Sequence, residues 1–246
     1  MLNRTPVVIR SVSPLQGHEG TIVTLQGSGF ARHIRNNCVV IGGMGACARA
    51  EPHSTDTELK VRIGPVARET AGDLLMWPGV GGELFTEEIS YGNTRLHLSE
   101  AAVFRNGAPV AAAGIHFKLD KASPDTYSGA FEKSARGQVQ LGGQETAPVM
   151  RVAFPKGFSA GRHKKVDVCV VLKEPTLAVD ISASIAGKSG DDEECLRAVA
   201  KAISLNAGLM GERVFADVGT NAQTGELELY ITKPYLENGM VTIHFS

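Results

Sequence analysis

Residues 6–63 read PVVIRSVSPLQGHEGTIVTLQGSGF (6–30), ARHIR (31–35) and NNCVVIGGMGACARAEPHSTDTELKVRI (36–63). Val7–Val12 is an extended apolar run that Pro14 breaks, and Gly17-His18-Glu19-Gly20 is a turn, where glycine supplies backbone angles other residues resist. Thr21–Gln26 alternates, with Ile22, Thr24 and Gln26 on one side and Thr21, Val23 and Leu25 on the other. Gly27–Gly29 kinks the chain ahead of Phe30, and Cys38–Ile41 is a short apolar run stopped by Gly42-Gly43. Ser54–Thr57 is a polar turn, and Glu58–Ile63 alternates again with Leu59, Val61 and Ile63 on one face. Short strands with turn signals between them predict a small β-sandwich.

The same residues carry a family pattern. Ile9, Ser13-Pro14 and Gly17 fit I-x-x-V-S-P-x-x-G; then come Gly20-Thr21-x-Val23-x-Leu25-x-Gly27-x-Gly29-Phe30, Val40-x-Gly42-Gly43, and Asp56-Thr57-x-Leu59-x-Val61. The stretch resembles an IPT/TIG domain, the immunoglobulin-like fold of plexins, Rel-type transcription factors and many bacterial surface proteins. The resemblance implies an immunoglobulin-like β-sandwich over residues 1–91, with its last strand at Leu74–Trp77 or Leu84–Tyr91. It implies no catalytic chemistry, since a fold does not dictate an activity.

At 246 residues the chain exceeds one such module, and two domains are expected, 1–91 and 92–246, the second with a candidate split near 165 that would leave 166–246 as its own unit. The fold class expected is mainly β: the sandwich, then an α+β domain with one main helix. Hydrophobic residues at 43% and charged residues at 21% are ordinary for a globular protein. A net charge of −1 gives no basic field, so neither nucleic acid nor an anionic membrane is an expected partner. No stretch approaches the ~18 apolar residues of a membrane span. Met1–Arg10 runs into the first strand with no visible signal peptide; a virion or surface assembly is favoured, with cytoplasmic residence and a trimmed chain left open. Cys38, Cys47, Cys169 and Cys195 form no C-x-x-C pair. A Cys38–Cys47 bridge is left open, and four unbridged cysteines is the plain reading.

Beyond residue 91, Arg95–Leu98 and Ala102–Arg105 read as strands, Asn106-Gly107 as a hairpin turn, and Pro109–Leu119 as the return strand. Asp120–Gly137 is a polar loop, Gln138–Leu141 and Val149–Phe154 are strands, and Pro155–Lys165 is a basic turn. Val166–Leu172 and the alternating Leu177–Ile185 are strands. Ser189–Glu194 starts a helix with an acidic first turn; Leu196, Val199, Ala200, Ile203 and Ala207 form its apolar face, and Gly208 or Gly211 ends it. Arg213–Val218, Glu226–Thr232 and Met240–Phe245 are the last strands, expected to lie in one sheet under that helix. The piece 179–206, VDISASIAGKSGDDEECLRAVAKAISLN, is similar to modules of phage baseplate and tail proteins.

Sequence signals for chemistry are sparse. Gly187-Lys188-Ser189 sits where a phosphate loop would, but the glycine required five residues earlier is Ser182, and four acidic residues follow. The seven histidines form no metal-ligand pair, no G-x-S-x-G is present, and no calcium loop is present. The basic run Arg162-His163-Lys164-Lys165 reads as a solvated turn. No catalytic, metal or cofactor site is therefore read. The function expected is non-enzymatic: a structural, assembly or adhesion protein of a phage-tail-like or surface assembly, with itself or other structural proteins as partner. The alternative is a carbohydrate-binding accessory module. Trp77, Tyr127 and Tyr235 are the candidate ligand or partner contacts, with Tyr91 as a further stacking ring; for Trp77 a partly buried core aromatic is the more common reading.

Overall fold

Val23 and Leu25 are fully buried while Gln26 between them and Ser28 is exposed, so the period of two read from the sequence is the period of burial. The structure is a computed structural model; it describes residues 6–31, 37–43, 45–78, 88–105, 110–131, 149–172, 177–186, 191–233 and 238–246, with the backbone alone at 77–78, 100–105, 113, 177 and 207–208. The chain divides into two compact units, Met1–Glu83 with Ala102–Thr126, and Leu84–Ala101 with Tyr127–Ser246. Among the described residues no helix is long and apolar enough to cross a membrane.

The first seven strands are β1 (Val8–Ser13), β2 (Gln16–Gly17), β3 (Ile22–Ser28), β4 (Asn37–Ile41), β5 (Ala46–Ala50), β6 (Glu58–Ile63) and β7 (Thr70–Pro78). Then follow β8 (Glu88–Tyr91), β9 (Thr94–Arg105) and β10 (Val110–Leu119). The first unit is one eight-stranded ladder in the order β1-β3-β6-β5-β4-β7-β10-β2. β5 pairs with β6 on one side and β4 on the other. Its two halves face a shared core: Val23, Leu25, Leu59 and Val61 from one, and Val39, Ile41, Leu74, Met76, Phe117 and Leu119 from the other. This is the expected immunoglobulin-like sandwich. Gly27 lets two strands meet there, because a Cβ at that position would run into the Val8 carbonyl. Asn37, 2% exposed, ties down the chain before β4: its Nδ2 donates to the Ala31 carbonyl at 2.8 Å and its Oδ1 accepts from the Ala31 N–H at 3.0 Å.

Of the two candidates for the last strand, Leu74–Trp77 lies in β7 of this ladder, and the strand that follows it there is β10, not Leu84–Tyr91. β10 runs antiparallel to β7, with Phe117 opposite Gly72 and Leu119 opposite Thr70, and parallel to β2. β8 is instead committed to β9, Tyr91 opposite Thr94, by the two-residue turn Gly92-Asn93. Burial explains the choice: β8 offers one buried anchor, Ile89, while β10 brings Ala112, Phe117 and Leu119. The expected β9–β10 hairpin is likewise corrected, since the two strands belong to different sheets; its turn, Asn106-Gly107, lies outside the described residues. Cys47 is a disulfide cysteine and Cys38 a buried thiol, so no Cys38–Cys47 bridge forms and four unbridged cysteines is overturned.

The second unit continues with β11 (Thr126–Ala130), β12 (Val149–Phe154), a 3-10 turn (Ala160–Arg162), β13 (Lys165–Leu172), β14 (Leu177–Ala186), the helices α1 (Asp192–Leu205) and α2 (Ala207–Gly211), then β15 (Phe215–Thr220), β16 (Leu227–Thr232) and β17 (Gly239–Phe245). The last three strands do not share one sheet. β17 joins a six-stranded sheet in the order β11-β17-β13-β14-β9-β8, and β15 and β16 join β12 in a three-stranded sheet. Apolar content separates them. Every residue of β17 is buried, as a central strand covered on both faces requires, whereas β15 buries only Val218. Cys169, disulfide-bonded, lies on β13.

Helix α1 begins where its acidic start predicts. Asp191 is the N-cap, its Oδ1 accepting from the Glu193 N–H at 3.0 Å. Leu196, Val199, Ala200 and Ile203 are buried on its inner face, each large side chain contributing about 1.5–3 kcal/mol. The helix stops at Leu205 rather than at Gly208 or Gly211, because Asn206 is extended (φ −60°, ψ 121°) and starts the separate short α2. The segments Gln138–Leu141 and Gly187–Ser189 lie outside the described residues.

Candidate interaction surface

In the second unit, three side chains from three elements meet around Arg197 of α1. Its Nε donates to Glu193 Oε1 at 2.9 Å, one turn earlier, and its Nη1 to Asp217 Oδ1 of β15 at 3.0 Å. The guanidinium carbon lies over an aromatic face, 5.8 Å from the centroid of the Tyr91 ring on β8. Burial works against the Arg197 charge, but the bond to Glu193 and the neighbouring Tyr91 and Asp217 outweigh it and hold the group more firmly protonated than usual. The turn beside Tyr91 is fixed to the same helix: Gly92 takes φ +54°, and the Asn93 N–H donates to Glu194 Oε2 at 3.1 Å. Lys201 Nζ donates to the Ser90 carbonyl at 3.2 Å. Helix α1 thus fastens the β8 end of the six-stranded sheet, and Tyr91 stays 41% exposed.

On the three-stranded sheet, Arg151, Tyr230 and Asp217 face one another across β12, β16 and β15. The Arg151 guanidinium lies 5.7 Å from the Tyr230 ring centroid. Tyr230 Oη donates to Glu228 Oε2 at 2.6 Å, and Asn221 Nδ2 donates to Glu228 Oε1 at 2.7 Å. Burial pushes the Tyr230 phenol up to about 12, with the Glu228 carboxylate acting in the same direction. Near the end of α1 the surface turns apolar: Leu205, Met210 and Phe215 are about half exposed, at 46%, 52% and 55%.

Ser182, Asp167 and His244 also lie side by side, on β14, β13 and β17. Their order decides the chemistry. The Ser182 hydroxyl donates to Asp167 Oδ1, and the middle strand places the carboxylate between serine and histidine. A serine nucleophile needs the imidazole next to its hydroxyl, so this row does not activate one. Cys195 is fully buried, and burial, aided by the Asp192 carboxylate, pushes its thiol up to about 12, away from the reactive thiolate. Exposed pairs join His18 to Asp120, His97 to Glu88 and His116 to Asp73. Among the described residues no three His, Cys, Asp or Glu side chains group as a metal site.

The sequence candidates separate. Tyr127 is half-buried on β11, its ring 4.9 Å from that of Phe154 and 5.5 Å from that of Phe158, in a cluster that also takes in Phe245. Trp77 is on β7, opposite Cys38; its side chain and the whole of Tyr235 lie outside the described residues. The structure does not bring the described candidates together. What the sequence did not show is the Arg197 cluster, whose members at 91, 193, 197 and 217 follow no motif spacing.

Residues 6–94 match the model of the IPT/TIG domain, so the chain carries an IPT/TIG domain at its N-terminus. A search among curated proteins finds no match. The chain is similar to a solved structure described as "Crystal structure of domains CD (residues 230-489)", 11% identical, over 98% of this chain and 97% of that one. The TM-score of that likeness is 0.24, and it carries no argument.

Proposed function

We propose that this is a non-enzymatic structural or adhesion protein, a component of a phage-tail-like or surface assembly, that works by contact with itself or with other structural proteins. The observation that carries the reading is the IPT/TIG domain at residues 6–94, an immunoglobulin-like structural or adhesion module. Its core is apolar, drawn from both halves of the ladder. In the second unit, Leu205, Met210 and Phe215 offer apolar surface for a partner. Sedimentation velocity of the full chain over a wide concentration range, with and without Met210→Lys and Phe215→Lys, tests the reading. Association that the double variant weakens supports it. A monomer at every concentration, together with no partner recovered by affinity capture, rejects it.

A carbohydrate-binding role is the second reading, and Tyr91 favours it. Its ring is part-exposed and backed by Arg197, which Glu193 holds, and the turn that follows it is bound to Glu194 through the Asn93 N–H. Glycan-array binding that Tyr91→Ala abolishes with the fold intact supports this reading, and no binding at millimolar sugar removes it.

A further inference from the structure

In an antiparallel pair, alternate residues turn their N–H and C=O toward the partner strand and away from it. β15 is the outer strand of the three-stranded sheet and, among the described residues, pairs with β16 alone, Phe215 opposite Thr232 and Asp217 opposite Tyr230. An outer strand with open backbone groups is a template on which another chain can add a strand. On β15 three of those groups, on Ala216 and Val218, are engaged. Ser204 Oγ accepts from the Ala216 N–H at 2.8 Å, and its hydroxyl donates back to the Ala216 carbonyl at 3.2 Å. One side-chain oxygen thereby serves both outward groups of Ala216, as a paired strand would. The next outward N–H, that of Val218, donates to Asp217 Oδ1 at 2.8 Å, and Arg197 Nη1 holds that same oxygen at 3.0 Å.

We infer that helix α1 guards the outer edge of β15 against strand addition, with Ser204 and the Arg197–Asp217 pair occupying backbone groups of Ala216 and Val218 that a second copy of β15 would use. Ser204 stands on the last turn of α1, anchored through Ala202 and Ile203, which are buried, and followed by Leu205, which is exposed. The last turn is where a helix frays, so the closure sits on the part of α1 that opens at least cost. Self-association through this edge requires that turn to lift. The inference concerns the second unit alone and stands whether or not the wild-type chain assembles, so its failure is separate from failure of the assembly reading.

Amide hydrogen exchange on the full chain tests it. In the wild type, the Ala216 amide is expected to exchange more slowly than an open-edge amide, though faster than the central ladder amides of β16. Exchange as fast as an open edge overturns the inference without any variant. Ser204→Ala removes both bonds to Ala216 and is expected to speed exchange of its amide by roughly fivefold or more, the effect of losing at least the bond to that amide, while Ser204→Thr, which keeps the hydroxyl, leaves it within about twofold. Unchanged exchange in Ser204→Ala overturns the assignment. Ser204→Ala with Asp217→Ala is expected to show concentration-dependent association beyond that of the wild type by sedimentation. A double variant that associates no more than the wild type overturns the claim that the edge was being guarded.

Discussion

Phe117→Ala is the most informative single change. Phe117 lies on β10, past the end of the IPT/TIG match at residue 94, yet it is 0% exposed among the core side chains of the first unit. If β10 closes that sandwich, the truncation removes a ring from a packed core that can relax only in part, and the cost is about 3–5 kcal/mol. Lys118→Ala is the matched control. It sits one residue on, on the same strand with the same backbone pairing, but its side chain is exposed, so its effect stays within about 0.5 kcal/mol. Equilibrium urea unfolding of the full chain, followed by circular dichroism and by fluorescence of Trp77, the only tryptophan and a residue of β7, reads the first unit directly. Loss of about 3 kcal/mol or more in Phe117→Ala, with Lys118→Ala near the wild type, supports the assignment. Equal and small effects of both changes refute it, because a ring at an open or unpaired strand has no cavity to leave.

Two further outcomes follow from the geometry. Asn37→Ala removes both hydrogen bonds to Ala31 from a buried position and is expected to cost about 1–3 kcal/mol in the same unfolding assay. Tyr230 has a folded-state phenol raised to about 12 from the ordinary 10.0, so the fold prefers the neutral form. Its contribution is fully present below about pH 10 and is lost as pH rises through 12. Tyr230→Phe is therefore expected to show a flatter fall in stability across that interval, by thermal melts at stepped pH, and a fall as steep as the wild type's contradicts the assignment.

Much of the fold was legible where burial follows a local period. Val23, Leu25, Leu59, Val61 and Ile63 recur at every second position, and they form part of the core of the first unit. The acidic start and three-to-four spacing of α1 were equally plain, because capping and an apolar helix face are properties of neighbouring residues. β5 was missed, since ACARA buries alanines (0% and 5% exposed at Ala46 and Ala48), which carry little hydrophobic contrast. Sheet membership was not legible. The alternation of Glu88–Tyr91 says that it is a strand, not that it pairs with β9, and β10 finds β7 across a long insertion. The interaction surface was hidden for a related reason: Arg197 gathers Tyr91 and Asp217 from distant strands, and Ser204 looks like any polar residue near a helix end until its hydroxyl is seen on Ala216.

The central claim is that the IPT/TIG sandwich is completed by a strand from beyond its matched residues. Residue-resolved hydrogen exchange of Val110–Leu119 in the intact protein tests it most directly. The account predicts that the paired amides of β10 open together with those of β7, β4 and β3, at the slow rate of one cooperative unit. Exchange of Phe117 and Leu119 at the rate of an exposed loop, while β3 and β7 remain protected, would contradict it.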